Sequence, residues 1–321
     1  MVKDHLVIDG HADILYRMGK EKLDFYDVNS PLHLGYRQML KAGIDLQVFV
    51  TFVDPARRGS EQLVAVLDSI HRFHQQIERP GGIKPIYDRT GLHEIYDETA
   101  NPHALLSLEG AECLDGRLSV LYALFTLGIR MIGLTWNHAN SVADGVGEPR
   151  GAGLTDFGKE VVQHMQSLGM VVDVSHLSEQ GVYDVARLAT APIIASHSNA
   201  RHVFEHRRNL TDEQMKMIVD TGGVIGVTFV PEFITSHETV TMDDLIPHVE
   251  HMLDVVGVHG VALGSDFDGI DQTMQDLRRG SDYPRFLERL EKEFGSEVVR
   301  LIAYENMFRV LDNTLPTHHS A

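Results

Sequence analysis

The chain has one cysteine, Cys113, and one tryptophan, Trp136, in 321 residues. A lone thiol excludes an intramolecular disulfide framework, so packing must hold the core together. Basic residues are scarce. The 28 Lys and Arg against 46 Asp and Glu leave a formal net charge of −18, which repels phosphate backbones and anionic membranes. Nucleic acid is thereby excluded as a natural partner. Long hydrophobic runs are missing too: the most apolar stretch, Gly222 to Val230, has about half the length of a bilayer crossing and is rich in glycine. The opening residues Met-Val-Lys-Asp-His lead straight into a strand-like run without the apolar segment of a secretory leader. A reduced, soluble, cytoplasmic protein with no membrane partner is expected. No Pro/Ser-rich linker, internal repeat or low-complexity tract divides the chain, and 43% hydrophobic with 23% charged residues is the composition of a globular protein.

What is present is an alternation of short apolar runs with helical periodicity, repeated about eight times. The candidate strands are Leu6 to Asp9, Asp45 to Phe52, Ala104 to Leu108, Met131 to Thr135, Met170 to Val174, Pro192 to Ala195, Val224 to Phe229 and Val261 to Leu263. Most are continuously apolar, as strands covered on both faces are. Helical patterns occupy Ser60 to Glu78, Leu118 to Leu127, Asp156 to Leu168, Ser178 to Leu188, Thr211 to Asp220, Met242 to Val256, Tyr283 to Phe294 and Glu297 to Leu311, with Ser178, Thr211 and Ser296 placed as N-caps. No dinucleotide glycine fingerprint follows the first strand. The expected architecture is therefore an α/β fold, a (β/α)8 TIM-like barrel over residues 1–321 as one domain. Residues 83–102 read as an irregular insertion with an extra strand at Lys84 to Tyr87, and Pro316 to Ala321 as a loose tail whose His318 and His319 are solvated.

Barrels of this kind place their chemistry at the C-terminal ends of the strands. Five strands here end in groups able to bind metal or move protons: the first in Asp9-Gly10-His11-Ala12-Asp13, the third in Glu109, the fifth in Asp173-Val174-Ser175-His176, the sixth in Ser196-His197-Ser198, the eighth in Ser265-Asp266-Phe267-Asp268. His11 and Asp13, two apart on an extended segment, point to one side and can share a cation. Glu109 buried alone would be costly, so it needs a cation or a partner such as Arg130. His176 and His197 follow consecutive strands, 21 residues apart, and should be neighbours. By contrast His71 and His74, three apart on a crossover helix, should be solvated. Three histidines with carboxylates and no thiolate suit a divalent ion on N/O ligands, zinc first, with manganese or iron as alternatives. Five ligands fit two ions sharing a carboxylate. Such a pair generates a bridging hydroxide at neutral pH, so hydrolysis is the expected chemistry. No Lys ends a strand, which leaves Glu109 as the candidate bridge. Asp266 is the candidate acid/base, with Asp268 as its rival two residues on.

Read in order, the segments IDGHAD (Ile8 to Asp13), SLEGAE (Ser107 to Glu112), VVDVSHLSE (Val171 to Glu179), PIIASHSNAR (Pro192 to Arg201), RRNLTDE (Arg207 to Glu213) and GSDFDG (Gly264 to Gly269) resemble the membrane (renal) dipeptidase-type metallopeptidases of the amidohydrolase superfamily. The resemblance covers nearly the whole chain. It implies a binuclear zinc dipeptidase: His11 and Asp13 on one ion, His176 and His197 on the other, Glu109 bridging, Asp266 as acid/base. It also implies that Arg208 binds the substrate carboxylate, a task suited to a planar guanidinium. Dipeptides with a C-terminal D-residue belong to the family's known substrates.

The chain departs from the animal members at two positions. Where they carry a His after the Leu-Thr of the fourth strand, this sequence has Trp136, with His138 two positions on. Phe233 stands where a carboxylate-contacting Tyr is expected. Trp136, His138 and Phe233 are thus substrate-pocket candidates. The animal members' lipid-anchor signal, leader and disulfide cysteines are absent. The competing readings are a related binuclear amidohydrolase acting on N-acyl amino acids or lactones, and a metal-bound scaffold without activity, which the complete ligand set disfavours. A homodimer is expected only from the general frequency of two-fold assemblies.

Overall fold

The computed structural model describes residues 6–97 and 101–318. Eight strands occur where the apolar runs predict them: β1 Val7–Ala12, β2 Ile44–Phe52, β3 His103–Glu109, β4 Ile129–Gly133, β5 Val171–Asp173, β6 Ile193–Ala195, β7 Val224–Val227 and β8 Val261–Leu263. Each pairs in parallel with the next, in chain order. Closure comes from residues just past β8. Ala12 bridges to Phe267, Asp13 N–H donates to Phe267 O at 2.9 Å and Asp266 N–H to His11 O at 3.0 Å. This is the (β/α)8 barrel, closed at its top.

Side-chain alternation along the strands builds two apolar layers. Val7, Phe49, Leu106, Ile132, Val172, Ile225 and Leu263 face the surrounding helices. Ile8, Leu46, Val48, Leu105, Met131, Val171, Ile194, Val224 and Ala262 fill the interior. The C-terminal helix Asn306–Thr314 plugs the floor with Met307, Val310 and Leu311, at the i, i+3, i+4 spacing of one helix face. Asn306 Nδ2 anchors the plug by donating to Val258 O (2.8 Å) and Val261 O (2.7 Å). Gly10 lets the backbones pack closely here: a Cβ on it would meet the Leu263 carbonyl at 3.0 Å and Met307 Cε at 2.8 Å.

Several details differ from the sequence reading. Two long helical patterns contain π-helical turns, Phe73–Ile77 and Leu301–Glu305. Ser178 and Thr211 do cap, Thr211 in a full capping box with Gln214. Ser296 does not: Gly295, at φ 82°, makes the turn from the preceding helix, and Ser296 is already helical. The strand in the insertion is only Lys84–Pro85, and the insertion is less irregular than expected, since Asp88 caps a short helix Arg89–His93. The start of the tail is tied down, Pro316 O accepting Arg89 N–H at 3.0 Å; residues 319–321, including His319, lie outside the described residues. Among the described residues no helix is long and apolar enough to cross a membrane.

Candidate metal centre

β1 runs on through His11, so His11 and Asp13 stand at the very top of the barrel, with Nε2 3.5 Å from Asp13 Oδ2. Glu109, the last residue of β3, reaches the same space. Its Oε1 lies 2.9 Å from His176 Nε2, 3.7 Å from His197 Nε2 and 3.9 Å from His11 Nε2. Asp266 Oδ1 is 4.0 Å from His11 Nε2. All six candidates are thus brought together, in two groupings of ligand atoms that each lie within 4.8 Å: Glu109, His176 and His197, and His11, Asp13 and Asp266. His176 and Asp266 reach their places through left-handed backbone, φ 66° and 64°, which costs a non-glycine residue about 1–2 kcal/mol. Lys22, Asp115 and Asp268 share that conformation, but only His176 and Asp266 use it to carry a candidate ligand.

The donors fit divalent cations. Buried His11 Nε2 and Asp13 Oδ1 have no hydrogen-bond partner, a costly condition that a metal would relieve. Each imidazole engages its Nδ1 elsewhere: His176 with Asn137 Oδ1 (2.8 Å), His197 and His11 with Ser196 Oγ (2.8 and 3.2 Å). All three Nε2 atoms therefore face the shared space. His176 Nε2 and His197 Nε2 are 2.9 Å apart, close to the roughly 3.3 Å between two nitrogens on a tetrahedral zinc with bonds of about 2.0–2.1 Å. The electrostatics agree. Burial, and then repulsion from Glu109, push the Asp13 carboxyl upward; burial, Asp13 and Glu109 do the same to Asp266. Burial also opposes the charge on His11, yet Asp13, Glu109 and Asp266 outweigh it and push the imidazole up to about 10, a negative field that would draw a metal cation in. Burial, and then Arg208, push His176 down to about 4.

The site opens into a cleft of about 800 Å3, within the range of small-ligand pockets. Arg208 lies in its wall, 5% exposed, with Nη2 donating to His197 O at 3.2 Å and Nε buried without a partner. Phe233 packs beneath that guanidinium, 5.4 Å from its carbon, and stacks on His206 at 4.6 Å. Trp136 covers His176 at 6.0 Å and meets Phe52 edge-on at 5.6 Å. His138 stands at the rim with 64% of its side chain exposed, 3.8 Å from Glu148. Asp268 points away from the cleft. Its oxygens accept Arg17 Nη1 (3.0 Å) and the backbone N–H of His33 (2.7 Å) and Leu34 (3.1 Å), pinning a neighbouring loop. Arg130 donates instead to the carbonyls of Tyr87, Phe125 and Ile129. His71 is exposed and His74 pairs with Glu78 at 2.8 Å, both outside the mouth.

The sequence reading missed the groups behind the ligands. Asp9 and Asp173 are buried carboxylates in β1 and β5 that brace the neighbouring strands at Ser265 and Ser196. Asn137 orients His176, while Tyr16, Lys20, Phe52 and Asp54 line the outer cleft. The signal for the braces was present: Asp9 and Asp173 each stand two residues before a polar residue on a run that is otherwise apolar. A further His202, Asp212 and His251 grouping lies on the outer surface, where His251 Nε2 already pairs with Asp212 at 2.8 Å.

Comparison with known proteins places this geometry. The family model for membrane dipeptidase (peptidase family M19) matches residues 1–320. An uncharacterized protein in the pqqA 5′ region of Klebsiella pneumoniae is 37% identical over 218 residues, 64% of this chain and 80% of that protein. An uncharacterized dipeptidase of Schizosaccharomyces pombe is 34% identical over 223 residues, 68% of this chain but only 54% of that protein. The crystal structure of a metallopeptidase from Rhodobacter sphaeroides, liganded with a phosphinate mimic of the dipeptide L-Ala-D-Ala, shares the fold with a TM-score of 0.86 at 24% identity, covering 97% of this chain and 99% of that one.

Proposed function

Since this chain belongs to the membrane dipeptidase family, peptidase family M19, and is a metal-dependent hydrolase, we propose that it cleaves the peptide bond of free dipeptides, including those with a C-terminal D-residue, with two zinc ions as cofactors. The observation that carries the reading is the convergence of three Nε2 atoms and three carboxylates beside Arg208, a buried guanidinium with an unpartnered N–H. Held by His11 with Asp13, by His176 with His197, and by Glu109 between them, divalent ions would supply water activation at neutral pH and carbonyl polarisation. Arg208 holds the substrate's terminal carboxylate, and Phe233 keeps the guanidinium in place from behind. Arg208 and Asp266 line the same cleft, so a residue seated on Arg208 can present its amide nitrogen to Asp266. The Asp266 carboxylate accepts a proton from the attacking water and returns it to that leaving nitrogen. Its place beside His11 and Asp13 lets it hold the proton in transit. Trp136 and His138 shape the opposite wall.

The test is a panel of small L-L and L-D dipeptides with free and blocked termini, incubated with zinc-loaded protein, the released amino acids being quantified. Cleavage restricted to substrates with both termini free supports the proposal. Hydrolysis of N-acylated amino acids or lactones in place of dipeptides overturns it.

A further inference from the structure

One hydroxyl sits between the two ligand groupings. Ser196 Oγ lies 2.5 Å from Asp173 Oδ2, 2.8 Å from His197 Nδ1, 3.2 Å from His11 Nδ1 and 3.4 Å from Ser175 Oγ. A serine hydroxyl has one proton to give and two lone pairs to accept with. Asp173 decides where the proton goes. Its Oδ1 accepts the backbone N–H of Ser175 and of Ser196, both at 2.9 Å, so the carboxylate works as an acceptor throughout, and its contact with Ser196 is the shortest of the four. Ser196 therefore donates to Asp173, and only lone pairs remain for the two imidazoles. Each imidazole must then donate from Nδ1, so Nε2 is the nitrogen left to give its lone pair to a metal ion.

We propose that Ser196 is a positioning residue shared by both halves of the metal centre: oriented by Asp173, its single hydroxyl fixes His11 and His197 in the one tautomer that can bind a metal through Nε2. The inference rests on the metal-site reading above. Its geometry is tightly built. Gly226 and Gly264 on the next strands press against the Ser196 carbonyl so closely that neither admits a Cβ, which leaves the serine no room to shift. A second brace of the same form shows what is special here. Asp9 Oδ2 accepts the hydroxyl of Ser265 at 2.6 Å, and Asp9 Oδ1 its backbone N–H at 2.9 Å, but the Ser265 oxygen then accepts a backbone N–H, from Phe267 at 3.2 Å. Of the two braces, the one at Ser196 is turned toward imidazoles. Outer contacts of this sort order a metal-binding histidine and raise its affinity for the ion.

The experiment compares wild type with Ser196→Ala, Ser196→Thr and, as a control, Ser198→Ala, whose buried hydroxyl has no partner. Zinc affinity is read by competition with a chromophoric chelator, and the proton positions on His11 and His197 by 15N NMR of histidine-labelled, metal-stripped protein. Wild type is expected to show Nδ1–H on both residues. Ser196→Ala should lose that signature and bind both ions roughly 10- to 100-fold more weakly. Ser198→Ala should match wild type, and Ser196→Thr, which keeps the hydroxyl, should restore both readouts. Unchanged affinity in Ser196→Ala, or weakening of one ion alone, overturns the shared role. If Ser196→Ala does not fold, wild type still decides, because an Nδ1 without its proton on either histidine refutes the proposed hydrogen-bond direction. Wild-type protein that binds no divalent ion refutes the metal-site reading itself, while the NMR result stands apart from it.

Discussion

At the floor of the barrel the strands carry Ile8, Leu105, Val171 and Ile194, sealed by Met307, Val310 and Leu311. Three to five residues further along the same strands stand His11, Glu109, His176 and His197. The floor is complete in itself, since apolar side chains ask only for contact and the C-terminal helix provides it. The mouth is not. It keeps unpartnered nitrogen and oxygen atoms, crowded carboxylates and two left-handed residues, costs that a bound ion and substrate offset. Stability should therefore depend on the floor and turnover on the mouth, and a substitution at one end should leave the other property alone.

The largest effect that would sharpen this contrast is at Asp266. Asp266→Asn should lower kcat by roughly 10²- to 10⁴-fold, the usual worth of a positioned acid/base. The variant should melt no lower than wild type, because burial and the Asp13 and Glu109 charges already disfavour the ionised form. Steady-state hydrolysis beside a thermal melt checks both halves. A lowered melting point with unchanged turnover would break the comparison.

Leu311→Ala tests the other end. Leu311 is fully buried in the floor, and truncation should cost about 2–5 kcal/mol in denaturant unfolding. The kcat of the folded fraction should stay at the wild-type value. Arg208→Gln comes next in size. It exchanges a charged two-point contact for a neutral one, worth about 1.5–3 kcal/mol, so KM should rise by roughly 10- to 150-fold with a smaller change in kcat. If kcat fell and KM held, the guanidinium would belong to the reaction step and not to substrate capture.

The contrast between the ends also explains what could be read in the sequence. Floor and strands were legible because runs such as Val224 to Val227 are apolar on both faces, and the candidate ligands stood out because a polar residue directly after such a run has few structural uses. Residues whose partners are distant in sequence were not. Asp9 makes sense only once β8 has brought Ser265 and Tyr283 beside it, 256 and 274 residues away. Asp268 read as a rival of Asp266 because nothing local shows that it is engaged by Arg17, His33 and Leu34. Ser296 looked like a cap because its neighbour Gly295 gives no hint, from one sequence, of which of them makes the turn.

Asp268 and His33 supply the smallest test, at the boundary between the two regimes. Burial, followed by the Arg17 and Arg279 charges, pushes His33 down to about 4 from an ordinary 6.5. Its neutral Nδ1 accepts the Asp268 N–H at 3.1 Å. Burial pushes Asp268 up to about 6 from 3.8, against the hydrogen bonds it accepts. The two act in opposite directions. As pH falls from 6.5 to 4, the unfolded chain protonates His33 before the folded one does, and stability is lost. Between 6 and 3.8 the folded state protonates Asp268 before the unfolded chain does, and stability is gained. Each change is on the order of 3 kcal/mol, so in wild type the pair should nearly cancel, to within about 1 kcal/mol. Single substitutions expose the halves. Relative to wild type, His33→Gln should become more stable as pH falls through this window, and Asp268→Asn less stable, both followed by urea unfolding at a series of pH values. Two variants whose differences from wild type run parallel with pH would mean that the pair does not titrate as the burial of each side chain requires, and that the hold of this loop on the mouth is independent of pH.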